Sequence, residues 1–177
     1  PTRYGDSLMR VLMEAGEEFN VIPYGTEALG VMRIEKGHAA GPELNGQTSA
    51  YDLGMGGMIS GKKDFIGYTL GLREELQRDD RMQMVGFKPV NPNDLLLAGS
   101  HLLGLRDKAT TDNDQGWISS CIYSPILGHY LGIGFIKGGH NRKGENVRAV
   151  DLVRGNDVEV EICSPHFVDP EGERLRV

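Results

Sequence analysis

The spacing of apolar residues changes near residue 81, and this change constrains the fold more than any other feature of the sequence. Beyond it, five short apolar stretches alternate with polar turns rich in glycine, asparagine and aspartate. Short strands separated by such turns are typical of a small antiparallel barrel or sandwich. We predict strands at 82–87, 117–123, 130–136, 146–150 and 158–163.

Before residue 81 the apolar residues recur at helical spacing. This spacing predicts an amphipathic helix over 4–15 that packs on a sheet. Thr26 is expected to cap a second helix that ends at Gly37, and Asp64 to cap a third over 65–77. A helical half followed by a strand-rich half predicts the α+β class.

The same change in spacing predicts a domain boundary. We expect an α+β portion at 1–80 and a C-terminal antiparallel β-barrel domain at 81–177. The chain begins with Pro1 rather than methionine, so it is expected to be a processed product or a piece of a longer protein.

The charge balance disfavours two classes of partner. Lysine and arginine total 19 against 25 acidic residues, a formal net charge of -6. Nucleic-acid and membrane surfaces attract basic patches, so neither partner is expected. No apolar run approaches the roughly 20 residues of a membrane span.

Cys121 and Cys163 have no CxxC spacing, and we interpret them as reduced core thiols of a cytoplasmic protein.

Common catalytic and cofactor motifs are missing from the sequence. The five histidines are scattered without HxxxH or HxH spacing, so no metal site is predicted. No GxSxG segment is present, and the glycines at 54–57 lack the strand, the helix and the acidic residue of a dinucleotide-binding fingerprint.

Glu35 is the side chain that merits attention, because it stands beside Gly37 at a predicted helix end. An ionised carboxylate can accept two parallel hydrogen bonds from the amino-pyrimidinone edge of a heterocycle. The residues alone favour a simpler interpretation, in which Arg33, Glu35 and Lys36 form a solvated face or a cluster of ion pairs.

Five segments, in the same order, resemble motifs of the aminomethyltransferase (glycine-cleavage T-protein) superfamily. They are 33–37, 44–47, 63–67, 84–87 and 124–128, which resemble the RLEAG-type segment, the LYGxD/E turn, the DFIG segment, the LVGL strand and the SPTLG turn. The sequence at 24–29, 33–38, 45–48, 62–67 and 167–175 is similar to the alpha-subunit family of heterotetrameric sarcosine oxidases. This resemblance implies a partial folate-binding α/β region followed by the barrel.

The resemblance also implies chemistry. In that family a flavin in the beta subunit oxidises sarcosine to an imine, with hydrogen peroxide formed at the flavin. Tetrahydrofolate in the alpha subunit then captures the imine carbon as 5,10-methylene-tetrahydrofolate. The implied partners are the beta, gamma and delta subunits, with FAD, FMN and NAD bound elsewhere in the complex. The family's acid/base aspartate lies upstream, so no catalytic residue is expected here and the chain alone should be inactive.

Five residues are carried over as candidate folate contacts. Glu35 is implied to recognise the pterin, and Arg33 to contact it or to orient Glu35. Trp117 and Tyr123 are expected either to wall the pocket or to pack in the barrel core. Arg81 is expected either to pair with the glutamyl carboxylate of folate or to be solvated.

Two other functions remain open at this point. One is a fragment of a T-protein-like aminomethyltransferase or of a folate-dependent demethylase. The other is a non-catalytic assembly module with the same fold.

Overall fold

The computed structural model describes residues 1–176, and its main feature is a closed antiparallel β-barrel. The strands follow one another around the barrel in the order β1-β4-β3-β2-β5-β6. They are β1 (Met82–Pro89), β2 (His101–Leu103), β3 (Gly116–Ser124), β4 (His129–Lys137), β5 (Asn146–Asp151) and β6 (Asn156–Cys163). The predicted α+β class with an antiparallel barrel is therefore confirmed.

The interior of the barrel is filled by one cluster of buried side chains. Its fully buried members include Val85, Phe87, Leu102, Ile118 and Val160, contributed by four different strands. Strands β3 and β4 approach closely, since a Cβ on Gly134 would lie 2.2 Å from the main-chain oxygen of Trp117. Closure pairs both edges of the sheet and leaves none exposed for pairing with another chain.

All five predicted strands are present, each one or more residues longer than the sequence pattern indicated. The sixth strand, β2, was not predicted. It has only three residues, too few for an alternating pattern to appear, and it pairs with β3 and β5. Its register with β5, where His101 faces Val150, completes the barrel.

Residues 1–176 contain four α-helices: α1 (Gly5–Gly16), α2 (Thr26–Glu35), α3 (Tyr68–Gly71) and α4 (Glu74–Gln77). Single 3-10 turns occur at Thr2–Tyr4, Glu17–Phe19, Gly56–Met58, Thr111–Asn113, Gly139–Asn141 and Glu173–Leu175. None of the helices within residues 1–176 is long and apolar enough to cross a lipid bilayer.

Three helix predictions were wrong in part. The single helix at 65–77 is two separate turns, because Gly67 adopts a left-handed φ of 94° and Arg73 is extended. Asp64 therefore caps no helix. Thr26 is the first residue of α2 rather than its cap, and the preceding Gly25 gives no side-chain hydrogen bond.

The prediction that the first helix packs on a sheet was also wrong. None of the residues of α1 is buried, and Leu8, Val11 and Leu12 are each more than half exposed. The helix contacts mainly the 3-10 turns at its two ends. The barrel is the only sheet in the described part of the chain, and a different helix covers it.

Helix α2 covers the outer face of β3 and β4. Ile34 packs there with Leu131 and Ile133, in a buried cluster separate from the barrel interior, and Phe167 packs against the same cluster. This packing fixes the end of α2 on the barrel wall. It therefore sets the positions of the polar residues on either side of Ile34.

Candidate functional site

Glu35 is the last residue of α2, and its carboxylate is buried against the barrel with 4% of the residue exposed. Its Oε1 accepts a hydrogen bond of 2.5 Å from the Ser124 hydroxyl. Within residues 1–176, its Oε2 accepts no hydrogen bond. Glu35 therefore does not lie on a solvated face, and one carboxylate oxygen keeps its full accepting capacity.

Arg33 does not bind Glu35 but pairs with a second buried carboxylate, that of Glu43. Its Nη1 donates to Glu43 Oε2 at 2.9 Å, and its Nη2 donates to Ser120 Oγ at 2.8 Å. Glu43 is fully buried. Arg33 therefore fastens α2 to the loop that follows it and to the barrel wall.

A β-bulge allows two consecutive serines of β3 to reach the same carboxylate. Ser119 and Ser120 both donate hydroxyl hydrogen bonds to Oε1 of Glu43. Consecutive strand residues normally point to opposite faces. The register between β3 and β4 shifts between Ile118 and Ser120, which brings both hydroxyls to the outer face.

The charge of Glu43 is stabilised by these donors. Burial by itself raises the pKa of this carboxyl group, but hydrogen bonds from Ser119, from the Ala40 main chain and from Ser120, with the charge of Arg33, bring the pKa below its ordinary value of 4.5. The pair with Arg33 is thus a partly buried ion pair. Glu43 was missed at the sequence level, because its glycine-rich surroundings give no sign of burial.

Arg81 lies just before β1 and is bound to the buried Asp52. Its Nε and Nη2 donate to the two carboxylate oxygens at 2.8 and 2.7 Å. Nη2 also donates to the main-chain oxygen of Gln47, and Nη1 to that of Glu75. All three guanidinium nitrogens are engaged, so Arg81 is not simply solvated.

Arg81 and Trp117 meet at a cavity of about 240 Å³. Ile118 faces the barrel interior, so the neighbouring Trp117 faces outward, where its ring lies 5.5 Å from that of Phe135. The full lining is Asn45, Gln47, Thr48, Arg81, Met82, Trp117 and Phe135. Two of the five predicted site residues are thus brought together.

Tyr123 lies apart from the other candidates. Its neighbour Ser124 faces Glu35, so the Tyr123 ring points to the opposite face of β3, where it packs edge-on against Tyr130. The ring is half exposed, and its hydroxyl donates to the main-chain oxygen of Gly128 at 3.1 Å. Trp117 and Tyr123 are separated by roughly 20 Å along the strand.

A larger cavity of about 560 Å³ lies on another part of the barrel and includes none of the five candidates. His101 and Asp114 border it, with Nδ1 of the histidine 2.8 Å from the carboxylate. Among residues 1–176, no group of three or more histidine, cysteine or acidic side chains could hold a metal ion.

Comparisons with protein families place this geometry in a known context. Residues 1–63 match the GCVT N-terminal domain. Residues 83–169 match the glycine cleavage T-protein C-terminal barrel domain. The two matches together account for most of the chain, and the second coincides with the observed barrel.

The chain is 42% identical over its whole length to a sarcosine oxidase subunit alpha of Rhizobium meliloti. It is 35% identical, over 98% of its length, to a sarcosine oxidase subunit alpha of Corynebacterium sp. strain U-96. In both cases it spans only 18% of the relative's length. An aminomethyltransferase of Chloroherpeton thalassium is 28% identical over 76% of the chain, which covers 35% of that protein.

A solved structure shows the same fold at low sequence identity. The glycine cleavage system aminomethyltransferase T from Bartonella henselae superimposes with a TM-score of 0.63 and 16% identity. The match covers 96% of this chain and 45% of that structure. This likeness shows the fold, whereas the family is shown by the two domain matches and the full-length sequence similarity. The chain belongs to the glycine cleavage T-protein (aminomethyltransferase) family.

Proposed function

We propose that this chain is the tetrahydrofolate-binding part of a sarcosine oxidase, and that the one-carbon unit of oxidised sarcosine is captured there as 5,10-methylene-tetrahydrofolate. The similarity to two sarcosine oxidase alpha subunits supports this assignment over an aminomethyltransferase, because their identities are higher. The observation that carries the proposal is the buried carboxylate of Glu35, which is bound at one oxygen and free at the other.

The donor and acceptor pattern of Glu35 fits a reduced pterin. A carboxylate only accepts hydrogen bonds, and the amino-pyrimidinone edge offers two parallel donors. The Ser124 hydroxyl uses part of the capacity of Oε1 and holds the group in one orientation. Burial strengthens each remaining hydrogen bond, because little water competes for the carboxylate. A ligand without either donor would be bound weakly.

Most of the other candidates are assigned supporting parts in this proposal. Arg33 positions Glu35 indirectly, since it holds α2 against the barrel through Glu43 and Ser120. Trp117 and Arg81, which share one cavity, are proposed to receive the aminobenzoyl-glutamate portion of folate. Tyr123, which packs on Tyr130 on the face of β3 opposite Glu35, is given no folate contact in this proposal.

The remaining chemistry is assigned to other parts of the enzyme. We propose that the complete complex contains beta, gamma and delta subunits and binds FAD, FMN and NAD outside this chain. Bound tetrahydrofolate supplies the nitrogens that accept the one-carbon unit. This chain supplies binding and orientation, and by itself it is proposed to be inactive.

The decisive experiment is a Glu35→Gln substitution in the complete enzyme. The amide replaces one accepting oxygen by a donor, so methylene-tetrahydrofolate should give way to free formaldehyde while hydrogen peroxide forms at the wild-type rate. Glu27→Gln, an exposed glutamate in the first turn of the same helix, is the matched control. An unchanged product ratio in Glu35→Gln would overturn the assignment.

A further inference from the structure

We propose that residues 164–169 form a strap that positions Glu35, and that Lys36 and Asp169 are positioning residues for folate recognition. This inference rests on the proposed function and adds a device that acts on its central carboxylate. The strap follows β6 and crosses the end of α2.

The strap binds the main chain of α2 where the helix has no partners of its own. The last carbonyl groups of an α-helix lack intrahelical donors. The main-chain nitrogens of Phe167 and Val168 both donate to the Glu35 carbonyl at 2.9 Å. Nδ1 of His166 lies 2.9 Å from the Lys36 carbonyl. The strap thus caps α2 at the residue that carries the proposed pterin contact.

An ion pair fastens the distal end of the strap. Lys36 Nζ lies 3.1 Å from Oδ2 of Asp169 and also donates to the main-chain oxygen of Asp169. Both side chains are largely buried. Asp169 has a left-handed φ of 48°, and the Glu173 main-chain nitrogen donates to its Oδ1 at 2.8 Å. The backbone of Asp169 is thus in an uncommon conformation, and its carboxylate is fixed by hydrogen bonds at both oxygens.

Steric contact leaves the strap little room to move. Gly37 has a φ of 72°, and a Cβ there would lie 2.4 Å from the Pro165 carbonyl oxygen. On the other side, a Cβ on Gly86 of β1 would lie 2.5 Å from the Ser164 carbonyl oxygen. The strap therefore lies between the end of α2 and the barrel, and Phe167 packs against the Ile34 cluster.

These contacts hold Glu35 from two directions. Ser124 fixes its carboxylate, and the strap fixes its main chain. Small displacements of a group that must meet paired donors are costly in binding. Loosening the strap should therefore weaken folate binding while sparing the oxidation of sarcosine, which is proposed to occur elsewhere.

The test compares three variants of the complete enzyme by calorimetric titration with tetrahydrofolate. Lys36→Met and Asp169→Asn should raise the Kd about tenfold, whereas Lys36→Arg, which keeps the charge, should stay near wild type. The rate of peroxide formation should not change in any of them. Lys88→Met removes a more exposed ion pair of the same 3.1 Å length, with Glu161 across β1 and β6, and serves as the control.

The outcomes separate this inference from the proposed function. Suppose that Lys36→Met and Asp169→Asn bind tetrahydrofolate with the wild-type Kd while Glu35→Gln loses binding. That result would overturn the proposed role of the strap and leave the proposed function standing. Unchanged binding in Glu35→Gln would overturn the proposed function and the strap with it. A Kd increase in Lys36→Arg equal to that in Lys36→Met would also contradict the role of the ion pair.

Discussion

Glu35 and Ser124, the final residues of α2 and β3, are joined by a 2.5 Å hydrogen bond although 89 residues separate them in the sequence. The bond connects the portion matched by the N-terminal domain model to the portion matched by the barrel model. The orientation of the Glu35 carboxylate therefore depends on the docking of both portions.

Removing the hydroxyl in Ser124→Ala should leave the buried carboxylate of Glu35 with no donor from residues 1–176. An unsatisfied buried polar group costs about 1–3 kcal/mol, so we expect a lower thermal unfolding midpoint and weaker tetrahydrofolate binding. Differential scanning calorimetry and binding titration of the complete protein would measure both. Ser7→Ala, on exposed α1, is the control. Identical behaviour of the two variants would contradict this prediction.

Glu43 should make the stability of the protein depend on pH in the acid range. Its folded-state pKa is below the ordinary 4.5, so it contributes stability that is fully present above about pH 4.5 and is lost as the pH falls through the folded-state pKa. Glu43→Gln should cost about 3 kcal/mol at pH 7, because it leaves Arg33 without its charge partner.

The difference in unfolding free energy between wild type and Glu43→Gln should narrow as the pH is lowered below about 4.5. Urea unfolding at several pH values would measure it. The exposed Glu14→Gln should show little difference at any pH. A gap between wild type and Glu43→Gln that is constant with pH would contradict the ionised state of Glu43.

The fold could be predicted where the local pattern and the tertiary contacts agree. The five longer strands of the barrel form apolar stretches that end at polar turns, whereas β2 has three residues and is defined by its pairing partners. Helix α1 was correctly placed, but its packing depends on surfaces that no local pattern describes. Gly67 ended the third predicted helix through its backbone conformation.

The site could be predicted only in part, because most of its contacts join residues that are distant in the sequence. Glu35 belongs to a recognisable motif, and its helix-end position was apparent from Gly37. The ligands of Glu43 come from a β-bulge some 76 residues further along the chain, and no spacing rule connects them. The strap lies still further along the chain, since His166 is 130 residues from Lys36. Its contacts with Glu35 itself are main-chain hydrogen bonds, which residue identity does not encode.

The two cysteines should be unreactive in the folded protein. Burial raises the pKa of Cys163 to about 12 and also raises the pKa of Cys121. At pH 8 roughly one Cys163 in ten thousand is then a thiolate, the form that reacts. Iodoacetamide labelling followed by mass spectrometry should modify neither cysteine in native protein and both in urea. Rapid native labelling of Cys163 would show that its thiol is accessible.

The ion pair of Arg81 with Asp52 can be tested independently of the proposed contact between Arg81 and folate. The pair is partly buried and bidentate, so the double-mutant cycle of Arg81→Met and Asp52→Asn should show a coupling energy of about 1–3 kcal/mol in unfolding. The exposed pair of Arg78 and Asp80 provides a control cycle with little coupling.

The same two variants test the folate contact. If Arg81 serves only to hold the loop that carries Asp52, then Arg81→Met and Asp52→Asn should weaken tetrahydrofolate binding equally. We expect Arg81→Met to weaken binding more, because the guanidinium borders the 240 Å³ cavity and would also lose its attraction for the glutamyl carboxylate. A polyglutamylated folate should enlarge this difference, since it carries more negative charge. Equal losses for both variants and both folates would assign Arg81 a structural role alone.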